Sequence, residues 1–321
     1  MLIFGWMLSF VLCFAAIPAV KCFSWRIGAV DVPRDWRRMH QKSTPRAGGI
    51  AIVFGVLLSC AVTLLGQPRI GSVLGGGVLM LLLGLYDDIH TLGAYVKLFF
   101  QITIAVAATL GYGVTSPMAL VAAVLWVVLL SNAHNLIDGL DGLFAGCASI
   151  EGIALCIALL LFGAVAEGQA VLCLVGSCMA FLCFNRHPAN IFAGDCGSAT
   201  AGFLLGMLSL PLLGAGGGEK HPMSVLLIFA YPLTDLFAAF ARRTLRGQSP
   251  FSADRAHLHH RVCAAGASAW CCVGMLWCLT LAFSVLGVLL LDQRFLPLSS
   301  LLCMGIALLL VSFRRFVLKI S

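Results

Sequence analysis

The feature that most constrains this chain is its succession of apolar segments. Each approaches the ~20 residues that a helix needs to cross the ~30 Å hydrocarbon core of a bilayer. Eleven can be drawn, at about 1–21, 47–66, 70–86, 95–112, 116–132, 143–163, 169–184, 198–214, 222–241, 268–290 and 295–313. Turn signals separate most of them: Gly66-Gln67-Pro68, Gly111-Tyr112-Gly113 and the run from Gly214 to Gly218. Only 10% of the 321 residues are charged and 61% are hydrophobic, with a mean hydropathy of +1.03. A soluble domain carries roughly a quarter charged residues, so a water-dissolved globule is excluded and the lipid bilayer is the expected solvent. The fold class expected is all-α, a polytopic membrane helix bundle of about 10–11 transmembrane helices with functional loops at one surface. No linker, low-complexity tract or internal repeat divides the sequence, so residues 1–321 read as a single membrane domain. Residues 1–21 lack the basic start and small-residue cleavage site of a signal peptide and read as a retained first span.

Charge orients the bundle. With the N-terminus outside, the inner segments hold 17 of the 20 Lys and Arg residues, leaving only Arg69, Lys220 and Arg294 outside. Cytoplasmic loops carry such an excess. The net charge of +7 is thus a one-sided surface, suited to anionic lipid or to an anionic substrate. Most of the 14 cysteines (Cys156, Cys173, Cys178 and Cys303 among them) lie in apolar runs without zinc-finger spacing and read as small buried hydrophobes. Cys196 adjoins a polar motif.

With only 13 Asp and Glu residues, their positions are informative. Asp87, Asp88, Asp138, Asp141, Asp195 and Asp235 lie in or at the ends of apolar segments, where an ionised carboxylate is costly. The assigned topology gathers all six at cytoplasmic helix ends. A lone helix-end carboxylate can simply sit in the headgroup layer. Several acids embedded in Gly and Asn on one membrane side point to chemistry.

Four clusters result. In the first, adjacent Asp87 and Asp88 repel and call for a cation or a shared proton, and Lys97 follows at the next helix start as a point charge for phosphate. In the second, Asn132, Asn135, Asp138 and Asp141 recur every three residues as a polar ridge, with Gly139 and Gly142 leaving the backbone approachable. The third runs from Asn185 through Phe192 to Gly194-Asp195-Cys196-Gly197-Ser198. Asp195 stands just before the next helix with Ser198 a candidate N-cap, a place where backbone N–H groups can face an anion, the alternative being a capped turn alone. The fourth joins Arg242, Arg243 and Arg246 to His257-Leu258-His259-His260. A phosphate clamp, a transition-metal site and a solvated loop all remain open there, with the flanking arginines favouring phosphate.

Taken together, these motifs resemble the polyprenyl-phosphate N-acetylhexosamine-1-phosphate transferases, relatives of the phospho-N-acetylmuramoyl-pentapeptide transferases. A fifth stretch agrees, from Asp31-Val32-Pro33 through Arg37 and His40 to Pro45-Arg46-Ala47-Gly48-Gly49, and the match runs in family order from about residue 31 to 262. The resemblance implies transfer of an N-acetylhexosamine-1-phosphate, GlcNAc-1-phosphate foremost, from a UDP-N-acetylhexosamine to polyprenyl (undecaprenyl) phosphate with release of UMP, as the first step of a lipid-linked cell-surface glycan. It implies Mg²⁺, with Mn²⁺ as a substitute, held by Asp195 with Asn135 at or beside it. Asp87 and Asp88 are implied to deprotonate or position the lipid phosphate, and Asp138 joins them as a catalytic candidate. Lys97, His257, His259, His260 and Arg243 are implied to bind phosphates. Asp141, Asn185 and Phe192 are implied to line a uridine pocket, with Phe192 stacking on uracil. The setting implied is a bacterial inner membrane with the active site on the cytoplasmic side, a homodimer being compatible and nucleic acid not being a partner. The readings that compete are a muramoyl-pentapeptide or other UDP-sugar preference, a lipid-binding scaffold without catalysis, and an ion-coupled transporter. A transporter places its acids near the midplane, often in repeated halves.

Overall fold

The structure is a computed structural model and describes residues 1–32, 43–215, 220–249, 258, 262–263 and 267–292. It is almost wholly helical: α1 (Leu2–Ile27), α2 (Gly48–Thr63), α3 (Pro68–His90), α4 (Ala94–Tyr112), α5 (Pro117–Ile137), α6 (Leu143–Leu161), α7 (Val165–Asn185), α8 (Asp195–Leu208), α9 (Pro222–Ile228), α10 (Ala230–Leu245) and α11 (Ala269–Leu289). A short 3-10 turn follows α8 at Leu210–Leu213. Strands β1 (Val30–Asp31) and β2 (Thr44–Pro45) form a minimal antiparallel pair that closes the loop between α1 and α2.

Helix limits follow local chemistry. Pro68 and Pro117 stand at the first turns of α3 and α5, where a missing N–H costs nothing. Gly28 and Gly113 end α1 and α4 in the left-handed region, at φ 77° and 103°.

The chain is a polytopic membrane bundle. Among the described residues seven helices are long and apolar enough to cross a membrane, or up to eight if α9 and α10 form one bent span. The expected spans at 47–66, 198–214 and 222–241 come out differently. The first becomes the 16-residue α2, and the second becomes the 14-residue α8 plus its 3-10 turn. The third breaks by 80° at Phe229. Pro232 cannot donate to the Ile228 carbonyl, which instead accepts from the Ser284 hydroxyl of α11 at 3.3 Å. The span expected at 295–313 lies outside the described residues.

Helix α8 is the axis of the fold. All 14 of its residues are buried, with α3, α5 and α2 packed around it. Glycines allow this closeness. A Cβ at Gly84 of α3 would stand 2.5 Å from the Cys196 Cα, and one at Gly49 of α2 would collide with the Gly197 backbone. A helix walled by protein need not match the bilayer thickness, and α8 does not. Around it, α1 packs on α7 and α2, α6 on α7, and α11 on α6 and α9. Phe4, Val11, Leu82, Phe99, Leu125 and Leu281 are exposed on outward faces, as lipid contact requires.

Candidate active site

The acids sit at one end of this bundle. Asp87 and Asp88 occupy the last turn of α3, Lys97 the first turn of α4, Asn135 the last turn of α5, and Asp195 the first residue of α8. Arg46 lies between β2 and α2. Although adjacent, Asp87 and Asp88 turn to different partners. Asp87 accepts the Leu92 N–H at 2.5 Å through one oxygen and the Lys97 ammonium at 2.9 Å through the other. Lys97 also donates to the Asp195 carboxylate, so one ammonium joins both acids. Asp88 instead accepts the backbone N–H groups of Asp195 and Cys196, each at 3.0 Å. Arg46 closes the cluster, with Nε 3.1 Å from Asp88 and Nη2 2.7 Å from Asp195. The Asn135 amide donates to Asp195 at 3.3 Å and its oxygen accepts from Ser198 at 2.9 Å.

Ser198 is therefore not the N-cap of this helix. The helix begins three residues earlier, after Gly194 at φ 70°, and the acceptor for its first N–H groups comes from Asp88, 107 residues away. A Cβ at Gly194 would stand 2.5 Å from both the Arg46 carbonyl and the Asp88 carboxylate, so the turn is closed by contact as well as by conformation.

Asp138 follows α5 and interacts electrostatically with the same cluster. Burial pushes its carboxyl well above the ordinary range; Arg46 opposes this, and Asp195, Asp88 and Asp141 add to it. Burial works against the charge on Arg46, yet Asp88, Asp195 and Asp138 hold the guanidinium above its usual value. The polar ridge read from the sequence is thus divided. Asn132 turns to Gln101 of α4 at 2.8 Å, Asn135 to Asp195, and Asp141 to the loop after α7.

That loop carries the other candidates. Asp141 accepts the Ala189 N–H at 3.1 Å and pairs with His187 at 2.8 Å. The buried Asn185 accepts the Gly142 N–H and donates to the Ile191 carbonyl, both at 2.9 Å, so both ends of its amide brace the loop. The Phe192 N–H donates to the Pro45 carbonyl at 2.8 Å and its own carbonyl accepts the Gly48 N–H at 3.0 Å, which seats this loop against the segment bearing Arg46. Arg243 lies in the last turn of α10. His257, His259 and His260 lie outside the described residues, as do Arg37 and His40. Leu258 is described: its N–H donates to Asp235 of α10 at 2.9 Å, and its side chain packs on the cluster that contains Ile137 and Leu140.

Two features escaped the reading of the sequence. Arg46 belonged to the fifth family stretch but was given no role, with nothing local to mark it as the bridge between two acids. His134 and Glu151, fully buried and 2.8 Å apart, face one another across α5 and α6. The other ring nitrogen of His134 meets the Leu130 carbonyl at 2.9 Å. A carbonyl can only accept, so that nitrogen bears hydrogen and the pair shares one further proton.

The donor set suits a hard divalent cation. Asp195 offers carboxylate oxygens beside the Lys97 ammonium, with the Asn135 side chain alongside, its oxygen accepting from Ser198 in this arrangement. Among the described residues no group of three His, Cys, Asp or Glu is gathered tightly enough to hold an ion alone. Mg²⁺ does not need such a cage, because one or two carboxylates with substrate phosphates and water ordinarily complete its shell.

Comparison with known proteins decides the family. A family model described as "Glycosyl transferase family 4" matches residues 70–212. The "Decaprenyl-phosphate N-acetylglucosaminephosphotransferase" of Mycolicibacterium smegmatis is 34% identical over 339 residues, covering 90% of this chain and 81% of that protein. The chain belongs to the polyprenyl-phosphate N-acetylhexosamine-1-phosphate transferase family. Another member, the "Probable undecaprenyl-phosphate N-acetylglucosaminyl 1-phosphate transferase" of Bacillus subtilis, is 33% identical over 85% of this chain and 80% of its own length. The "Undecaprenyl-phosphate alpha-N-acetylglucosaminyl 1-phosphate transferase" of Escherichia coli K12 is 27% identical over 75% and 71%. In this transferase the stretch matched by the family model holds Asp87, Asp88, Lys97, Asn135, Asp138 and Asp195, while Arg46 falls outside it.

Proposed function

We propose that this chain transfers GlcNAc-1-phosphate from UDP-GlcNAc to a polyprenyl phosphate, releasing UMP, at the cytoplasmic face of a bacterial inner membrane. The observation that carries the reading is the convergence of Asp87, Lys97 and Asp195, from three helices of a family member, in one charge cluster at the bundle end. A polyprenyl phosphate keeps its tail in hydrocarbon and its phosphate at headgroup depth. The groups that act on it therefore belong at helix ends.

Two anionic substrates must meet here, and the resident side chains address that problem. Lys97 exchanges its carboxylate partners for phosphate oxygens when substrate arrives. Asp87, freed from Lys97, holds the lipid phosphate in direction and accepts its last proton. An oxygen of that phosphate attacks the sugar-bearing phosphorus in line, and the bond to UMP breaks with its electron pair leaving on UMP. Mg²⁺, held by Asp195 and Asn135, would neutralise charge on the pyrophosphate. His257, His259, His260 and Arg243 bind the remaining phosphate oxygens. Asp141 and Asn185 shape the uridine pocket by fixing the 185–192 loop, and Phe192 stacks on uracil. One pyrophosphate is exchanged for another, so the reaction runs near equilibrium and UMP opposes it.

The test is incubation of membranes containing the protein with undecaprenyl phosphate, Mg²⁺ and a panel of UDP-sugars, scoring UMP. Release with UDP-GlcNAc above the other sugars is expected. Release only with the muramoyl-pentapeptide donor would move the chain to that branch, and none with any donor would end the reading.

A further inference from the structure

The adjacent acids Asp87 and Asp88 each accept backbone N–H and pair with one cation, yet they differ in exposure and in the elements they meet. The Asp87 side chain retains some exposure and shares its cation with Asp195. The Asp88 side chain has none; it accepts the Asp195 and Cys196 N–H groups and pairs with the Arg46 guanidinium. The first N–H groups of a helix have no partner within it. Here an anion supplied by α3 satisfies two of them and complements the positive end of α8. Arg46 then reaches from Asp88 to the carboxylate of the same Asp195 whose backbone Asp88 holds. Backbone and side chain of Asp195 are thereby fixed from both sides. The fit is closed: a Cβ at Gly194 would meet the Asp88 carboxylate, and a Cβ at Gly84 the Cys196 backbone.

We propose that Asp88 is a positioning residue which, with Arg46, sets the first turn of α8 and so aims Asp195, while Asp87 alone of the pair faces the substrate phosphates. The division rests on the transferase reading above and deepens it. Two neighbours in a helix point about 100° apart, so an acid pair can serve one partner on each side: Asp87 meets the reacting groups and Asp88 meets the helix that carries Asp195. Loss of a group that orients a metal ligand typically weakens metal affinity or activity by about 10- to 100-fold. Loss of Asp88 or Arg46 should therefore raise the metal requirement rather than abolish the chemistry.

The experiment uses the full-length protein in detergent or nanodiscs and two independent readouts. Amide hydrogen exchange, followed in the peptide spanning residues 190–200, reads the cap without any need for activity. In Asp88→Asn the Asp195 and Cys196 amides should exchange about tenfold faster or more while α6 and α7 keep their rates. UMP release as a function of Mg²⁺ reads the aim of Asp195. Asp88→Asn and Arg46→Gln should each raise the half-activating Mg²⁺ concentration about tenfold, the double variant no more than the larger single effect, with the lipid-phosphate KM unchanged. Asp87→Asn should lower turnover without moving the Mg²⁺ requirement. Unchanged exchange in Asp88→Asn overturns the cap. Unchanged Mg²⁺ dependence with turnover lost as in Asp87→Asn places Asp88 among the reacting groups and also overturns the proposal. Should Asp88→Asn fail to fold, Arg46→Gln decides by its Mg²⁺ requirement, an unchanged value overturning the proposal. A wild type that releases no UMP would refute the transferase reading while leaving the exchange result to judge the cap.

Discussion

Lys97 donates to the carboxylate of Asp195, 98 residues further along the chain, while holding Asp87 at 2.9 Å. A single ammonium thus bridges the end of α3 and the start of α8 from the first turn of α4. The two acids it bridges are those that the proposed chemistry needs, so a phosphate binding to Lys97 would compete with both.

Lys97→Gln removes that bridge. Asp87 and Asp195 are left facing one another with Arg46 as the remaining cation beside Asp195. Turnover should fall by about 10²–10³-fold, the scale found when a preorganised charge partner is lost. Steady-state UMP release measures it, and retention of more than a tenth of the wild-type rate would remove Lys97 from the site.

Asp195→Asn keeps the shape of the side chain and its place at the start of α8 while withdrawing a charge from Lys97, Arg46 and any bound cation. Transfer should be abolished with the protein still folded in the membrane. Treatment of the wild type with EDTA should also stop transfer and added Mg²⁺ restore it. Full activity in chelator would reject the metal argument.

Asp138 gives a pH signature. Burial first, then the surrounding acids, push its carboxyl up against the opposing pull of Arg46. A folded state that keeps a proton the unfolded chain has released loses stability as pH climbs above the ordinary carboxylate range, about pH 4, toward the raised folded value. Asp138→Asn mimics the protonated acid and escapes that loss. Its Tm advantage over wild type should be near zero at about pH 4 and grow toward neutrality. A difference that stays flat or reverses sign across that range would show that Asp138 is ionised in the fold.

Gly84→Ala tests the packing that sets α8. The added methyl would stand 2.5 Å from the Cys196 backbone, where no flexible side chain can yield. Overpacking of this kind costs about 1–3 kcal/mol. Thermal unfolding should report a lowered Tm, and the Mg²⁺ requirement of residual activity should rise because the same contact sets Asp195. Unchanged stability would mean that α3 and α8 are further apart than described.

The sequence alone made the bundle and the gathering of acids at one end legible, because bilayer-length apolar runs and isolated acids are signals local to the chain. Lys97 and Asp195 could be named from spacing and family likeness. The division of labour between Asp87 and Asp88 could not, since which neighbour each meets depends on helices 107 residues apart. The start of α8 at Asp195 rather than near Ser198 was hidden for the same reason: its cap is remote. Arg46 stood in a stretch that carried the family likeness, but its bridge from Asp88 to Asp195 depends on helices far along the chain. The break between α9 and α10 was written in Pro232, but its direction depends on Ser284 reaching the freed Ile228 carbonyl.

The most direct measurement follows the β-phosphate. UDP-GlcNAc labelled in that phosphate is incubated with purified protein, undecaprenyl phosphate and Mg²⁺, and the label is partitioned between organic and aqueous phases. The account predicts label in the lipid phase with unlabelled UMP in water, and neither in Asp195→Asn. Label remaining wholly aqueous with the wild type, or reaching lipid undiminished in Asp195→Asn, would contradict it.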